Sequence, residues 1–271
     1  AVLETAQEYI DSLFFNPRRY NLDKVGRYKI NKRLGLDISS DTLVLTKDDL
    51  VAAIKYLIRL QQGTGEVDDI DSLSNRRVRR VGELVGNVAF RGGLLRLEKS
   101  IKERMSLLDP KVKVLPSQVI NSRPLVSAIN EFFRTSQLSS ILDQTNPLSE
   151  LDTLRKLSVM GVGGISRERA SFSIRDINSS QYSRICPVRS PEGPNIGLVT
   201  FLTLYAKVDQ YGFLLAPYRK VVKLKSGEVI KSKVTEEIVY LAADDERSYK
   251  ISHSNIAIDS HGIITDERVP V

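Results

Sequence analysis

Between Asp143 and Leu198 the chain reads DQTNPLSEL, LRKLSVMGVGGISRERASF and SRICPVRSPEGPNIGL, with Gly161, Gly163, Gly164, Gly193, Gly197 and Pro147, Pro187, Pro191, Pro194 set close together. Glycine opens backbone angles closed to other residues and proline pins φ, so this stretch dictates the shape of its loops. Arginines recur through it. From Leu151 to Pro191, seven basic residues (Arg155, Lys156, Arg167, Arg169, Arg175, Arg184, Arg189) stand against three acidic ones (Asp152, Glu168, Asp176). Guanidinium groups held on loops of fixed shape suit the gripping of a polyanion, and a solvated basic face is the plainer alternative.

A length of 271 residues predicts two domains, or one and part of another. With 41% hydrophobic and 27% charged residues the chain can build a core and is far from a disordered composition. A net charge of +7 favours an anionic partner. The lone Cys186 excludes an internal disulfide and reads as a small buried hydrophobe. His253 and His261 lie in a turn-rich stretch without cysteine partners, so no zinc site is expected. No apolar run reaches the length of a membrane span. The chain opens without Met in a helical pattern and closes at Val271 just after a strand-like stretch, so both ends read as cuts through a longer polypeptide.

The first part is expected to be helical. Thr46 and Asp49 form a capping-box pattern ahead of Leu50, Ile54, Leu57 and Ile58 at helical spacing. Upstream, Arg18, Arg19, Lys24, Arg27, Lys29, Lys32 and Arg33 interleave with Tyr20 and Tyr28, as a solvated surface or as a phosphate or subunit contact. Glu66, Asp68, Asp69 and Asp71 then precede Arg76, Arg77, Arg79 and Arg80. These acids do not fit a calcium-loop frame. Val78, Val81, Val85 and Val88 predict a long helix containing those arginines, with the stripe shifting to Phe90, Leu94, Leu97 and Ile101 across a break at Gly92-Gly93. Pro124 opens a helix with Leu125, Ala128, Ile129 and Phe132 on one side, and Asn146-Pro147 opens another. From Ala170 the period becomes two, with Phe172 and Ile174 alternating with polar residues, and IGLVTFLTLYAKV reads as a buried strand. From Val208 onward, YRKVVKLK and EIVYLAA are strands punctuated by Ser226-Gly227 and His261-Gly262. The expected fold class is α+β: a helical part (1–62), a mixed core carrying the loops (63–207) and an antiparallel β-rich end (208–271).

Gly161-Val162-Gly163-Gly164 completes neither phosphate-loop motif and reads as a turn exposing Arg167 and Arg169. Pro191 to Gly197 is a rigid loop able to present Glu192 and Asn195, or merely a tight connection. No nucleophile elbow or Cys/His pair is present, so the chain is not expected to catalyse alone.

These same segments, SQLSSILDQTNPLSEL, GVGGISRERASF and CPVRSPEGPNIGL, resemble the bacterial DNA-directed RNA polymerase beta subunit family. NPRRYNLDKVGRYKIN, GEVDDIDSLSNRRVRRVGEL, EFFRTSQLS and YGFLLAPYRKV extend the resemblance, in order, over essentially the whole chain. It implies an internal piece of that subunit, from the end of the lobe through the fork region into the β-rich segment after it. Arg167 and Arg169 would face DNA. Gln137, Asp143, Ser149, Arg155, Ser158, Pro191, Glu192 and Asn195 match the family pattern in the walls beside nascent RNA, where rifamycins bind. Ser140, Ile141, Thr153 and Lys156 stand where the family usually has Gln, Phe, His and Arg; Val162 replaces a Pro, and Arg189-Ser190 a Glu-Thr pair. Missing hydrogen-bond partners, a missing aromatic wall and a missing planar fork imply weak rifamycin susceptibility. The implied partners are DNA template, nascent RNA and the beta-prime, alpha and sigma subunits. No cofactor is expected in this piece, Mg2+ being held by the partner subunit, and the implied location is the cytoplasm, off any membrane. A free-standing basic nucleic-acid-binding module is the rival expectation, and a structural-assembly role without nucleic-acid contact comes third.

Overall fold

The computed structural model describes residues 2–65, 67–108, 113, 115–226, 229–266 and 268–271. Glu66 of the acidic cluster and Gly227 of the expected Ser226-Gly227 turn lie outside them. The chain is α+β and divides into two compact units, Ala1–Asp69 and Ile70–Val271. Residues on both sides of position 207 belong to the second.

The first unit is three helices, α1 (Leu3–Phe14), α2 (Asp23–Leu34) and α3 (Lys47–Gln61). The capping box forms as expected: Thr46 Oγ1 accepts from Asp49 N at 3.3 Å, and Thr46 N donates to Asp49 Oδ2 at 2.7 Å. Gly35 closes α2 in the left-handed region at φ 67°, where a side chain would be strained. The stripe of α3 does not face inward: Ile54, Leu57 and Ile58 are exposed. At the centre of the unit lies an ion pair. Arg27, expected on the surface, is wholly buried and donates from Nη1 to both Asp49 oxygens at 2.8 Å. Its Nε reaches Thr42 O at 2.8 Å, and Nη2 donates to Val44 O. Burial pulls the Asp49 carboxyl upward, but the Arg27 hydrogen bond, the Thr46 donors and the Arg27 charge outweigh it and hold it below the ordinary range. Arg33 is also engaged, pairing with Asp68 at 3.1 Å and lying over the Tyr56 ring.

In the second unit Arg76 to Arg80 precede a helix instead of lying within it. Arg76 pairs with Asp71 at 2.6 Å, and Arg77 grips Glu83 through two hydrogen bonds of 2.8 and 2.6 Å that hold the Glu83 carboxyl below its usual range. The helix starts as α4 (Val81–Leu84), passes through one π-helical stretch (Val85–Phe90) and continues as α5 (Arg91–Ser106). Gly92-Gly93 therefore does not break it. The wider π turn absorbs the shift of the stripe, and the residues turned inward are Ala89 and Gly93, with Leu97 and Ile101 half-buried, while Phe90 and Leu94 stay exposed. A β-carbon on Gly93 would lie 2.8 Å from Leu125 Cδ1 and 3.2 Å from Ala128 Cβ, so glycine is what lets α5 approach α7 (Arg123–Thr135). Between them runs the short α6 (Pro116–Val119). Leu125, Ala128, Ile129 and Phe132 form the inward side of α7, as expected.

Helix α8 (Pro147–Leu154) is capped by Asn146, whose side chain accepts from Ser149 N at 2.8 Å. It leads into β1 (Lys156–Ser158), which pairs antiparallel with β2 (Val199–Phe201). Two expectations fail here. Phe172 and Ile174 lie in a short helix, α9 (Phe172–Arg175), because one alternation of apolar and polar residues is too brief to impose a strand without a neighbour to pair with. The IGLVTFLTLYAKV run is likewise no single buried strand: a turn at Leu204-Tyr205 separates β2 from β3 (Lys207–Val208). The β-rich end holds as expected. β3, β4 (Leu214–Ser226) and β5 (Val229–Ala242) form an antiparallel sheet in that order, and a turn around Gly262 at φ 79° joins Ile258 to Ile264.

Leu73, Ile185, Leu214 and Ala243 form the buried cluster that joins this sheet to the loop-bearing part. Arg184 runs through it, wholly buried, donating to Ser180 O, Leu214 O, Leu241 O and Glu246. Burial, with the hydrogen bond and charge of Glu246, pushes the Tyr218 hydroxyl above its usual range, so it stays protonated and donates to Glu246 Oε1 at 2.7 Å.

Candidate nucleic-acid interface

The segments singled out in the sequence meet around β1 and β2. Val159 N donates to Leu198 O at 3.0 Å and Ile165 N to Val159 O at 3.0 Å, so the end of the Pro191–Gly197 loop and the start of the glycine turn share one backbone strand. Glycine is required at two of these junctions. A β-carbon on Gly164 would sit 2.3 Å from Val159 O, and one on Gly197 would sit 2.6 Å from Arg175 Cα and O. Gly197 also has φ 72°.

The basic excess separates into two kinds. Arg155 donates to Thr203 O and Leu204 O, Arg175 Nη1 to Pro194 O at 2.9 Å and Ile196 O at 2.8 Å, and Arg184 is the buried tie already described. Arg189 pairs bidentately with Asp152 and lies 4.0 Å above the Phe201 ring. Lys156 Nζ lies 5.9 Å from the same ring. By contrast Arg167 and Arg169, on a 3-10 turn (Arg167–Arg169), are exposed and make no side-chain hydrogen bond or ion pair among the described residues. Of the six arginines that suggested a polyanion grip, Arg155, Arg175 and Arg184 therefore hold protein carbonyls, Arg189 holds a protein carboxylate, and Arg167 and Arg169 face outward without a side-chain partner among the described residues.

Of the remaining residues that the resemblance assigns to the walls, Gln137 is exposed and its Nε2 lies 3.8 Å from Met160 Sδ. Ser140, Ile141 and Asp143 lie on an exposed run; Ile141 is 97% accessible. Hydrogen bonds from the Thr145 hydroxyl and N–H hold the Asp143 carboxyl below its ordinary range. Ser149 and Thr153 belong to α8, where the Thr153 hydroxyl donates to Ser149 O at 2.9 Å. Ser158 Oγ accepts from Met160 N at 3.2 Å. Pro191 and Glu192 lead the loop, with Glu192 exposed, whereas Asn195 turns its Oδ1 inward, out of contact with solvent.

Three bracing contacts, made by residues noted above only for their charge or not at all, left no mark in the sequence. Arg79 donates to Val162 O and its guanidinium lies 3.4 Å from where a β-carbon on Gly163 would sit, bracing the glycine turn from 83 residues upstream of Val162. Arg175 and the Asp152–Arg189–Phe201 set brace the other loop. All three bring together residues distant in sequence, which no local pattern marks. Among the described residues no group of three or more His, Cys, Asp or Glu could hold a metal ion, and no helix is long and apolar enough to cross a membrane.

Comparisons with known proteins agree along the chain. Residues 1–79 match the family model for RNA polymerase Rpb2, domain 2; residues 140–208 that for RNA polymerase Rpb2, domain 3; and residues 218–271 that for the RNA polymerase beta subunit external 1 domain. Together these models put the chain in the Rpb2/beta class of RNA polymerase subunits. The curated DNA-directed RNA polymerase beta subunits of Bartonella tribocorum, Chelativorans sp. and Brucella canis are 48%, 49% and 48% identical to it over 98% of its length. The chain belongs to the bacterial RNA polymerase beta subunit family, and it spans 19% of the length of those relatives.

Proposed function

We propose that this chain contributes part of the active cleft of a DNA-dependent RNA polymerase, a nucleotidyltransferase working in the cytoplasm, with Arg167 and Arg169 against DNA. The segments around Gln137 to Ser158 and Pro191 to Asn195 would flank nascent RNA. Its partners in this reading are template DNA, RNA and the beta-prime, alpha and sigma subunits. Mg2+ is assigned to the partner subunit, whose ions would supply charge stabilisation to phosphoryl transfer; the described residues here offer no cluster that fits them.

One observation carries the reading. Where neighbouring arginines are engaged in the protein, Arg167 and Arg169 are exposed on a turn just after the Gly161–Gly164 turn, which Arg79 holds through Val162 O. A pair of free cations on a shaped loop is suited to phosphate contact, which is sequence-independent and salt-sensitive. Arg167→Ala with Arg169→Ala, placed in the full-length subunit of the assembled polymerase, should weaken the promoter open complex. The plot of log affinity against log salt should become shallower by about 1 for each phosphate that is no longer neutralised. Unchanged open-complex lifetime and salt slope would reject the role of this pair on DNA.

A further inference from the structure

Asp152 of α8 is paired with Arg189, two residues before the Pro191–Gly197 loop, a contact between side chains 37 residues apart. Asp152 lies in the last turn of α8, where a carboxylate opposes the negative end of the helix dipole. Arg189 relieves that conflict with a two-toothed grip, Nη1 to Oδ1 and Nη2 to Oδ2 at 2.6 Å. The same guanidinium lies 4.0 Å above the Phe201 ring, on the strand that β1 pairs with through the Lys156↔Phe201 register. An isolated exposed ion pair is worth little, but a planar fork that is bidentate and stacked loses less freedom on pairing. The loop's other end is tied by Ser190 Oγ, which accepts from Gly197 N at 3.3 Å, and by Arg175 on Pro194 O and Ile196 O.

We propose that Asp152, Arg189 and Phe201 form a strut that fixes the distance between α8 and the Pro191–Gly197 loop, with Arg189 as its positioning residue. The role in RNA synthesis rests on the function proposed above, in which those two segments flank nascent RNA. The strut itself does not. With the strut intact the walls open together or not at all; without it each opens alone.

The test uses polymerase assembled with the full-length subunit, carrying Asp152→Ala, Arg189→Ala, Arg189→Lys or the exchange Asp152→Arg with Arg189→Asp. Amide hydrogen exchange is followed in 147–154 and 192–198, with β4 and β5 as the internal check that the fold is intact. Either alanine variant should raise exchange in both segments, by roughly tenfold, the size of a stacked, charge-assisted pair. Arg189→Lys should recover little, because an ammonium lacks the fork. The charge exchange should recover part, since a cation suits the C-terminal turn of α8 but Asp cannot stack on Phe201. If each substitution loosens only its own segment, or the exchanged pair behaves like the sum of the two alanine variants, the strut is overturned. Nucleotide KM and the length distribution of short transcripts are read on the same enzymes. Coupled exchange with a shifted KM and altered transcript lengths supports strut and walls together. Coupled exchange with unchanged transcription supports the strut and rejects the reading that these segments flank RNA.

Discussion

Arginine plays opposite parts in this chain according to what lies beside it. Arg27 is wholly buried and hydrogen-bonded to Asp49, Thr42 and Val44, whereas Arg167 and Arg169 are exposed and make no side-chain hydrogen bond or ion pair among the described residues. Removing one partner of a buried pair strands a charge, so Asp49→Asn should cost about 3–5 kcal/mol of stability in urea unfolding. It should also change the response to acid. Because the native Asp49 carboxyl lies below its ordinary value of 3.8, the unfolded chain binds the proton more readily. The pair's contribution is therefore present above that value and lost as pH falls through the lower native one. Unfolding at pH 6 and pH 3 should show a smaller drop for Asp49→Asn than for the parent chain; equal drops would contradict the assignment. The sequence disclosed half of this arrangement. Thr46 and Asp49 are three residues apart and make a local signature, but Arg27 finds Asp49 across 22 residues, and a basic run looks the same whether solvated or buried.

Among the elements, what could be read ahead depended on length and on neighbours. The long strands β4 and β5 and the proline-started helices α7 and α8 declared themselves, because many residues or a capping device agreed. Phe172–Arg175 did not, since so short a segment takes its shape from its surroundings. Gly92-Gly93 is the clearest case of a correct feature with the wrong consequence. The pair marks a place where helices touch, and the two glycines should respond differently. Nothing lies within 4 Å of a β-carbon on Gly92, so Gly92→Ala should stabilise by up to about 1 kcal/mol through helix propensity. Gly93→Ala meets Leu125 and Ala128 and should destabilise by about 1–3 kcal/mol, offset in part by the same propensity. Thermal melts of the two variants that shift alike would contradict the close approach of α5 to α7.

For the molecule as a whole, the test of the wall assignment is pharmacological. Thr153, where the resemblance implies His, spends its hydroxyl on Ser149 O; Lys156, where it implies Arg, lies near Phe201; and Ile141, where it implies Phe, is almost fully accessible. Two or more missing hydrogen bonds at about 1 kcal/mol each predict inhibition by rifamycins weakened roughly tenfold or more. Restoring the family residues (Ser140→Gln, Ile141→Phe, Thr153→His, Lys156→Arg) in the assembled polymerase should recover inhibition. Equal curves for parent and restored enzyme would sink the assignment of these positions to the drug-binding wall. The sequence offered these residues by resemblance, since local patterning has no means of indicating which loops converge.

The ion pair at the heart of Ala1–Asp69 has a thermal consequence. Exposing apolar surface raises the heat capacity of a chain, and exposing polar surface lowers it. A unit that encloses Arg27 and Asp49, with Ile54, Leu57 and Ile58 facing outward, has little of the first term to release. Taken by itself, its stability should change only gently with temperature, and cooling, which weakens oily cores, should take little from it.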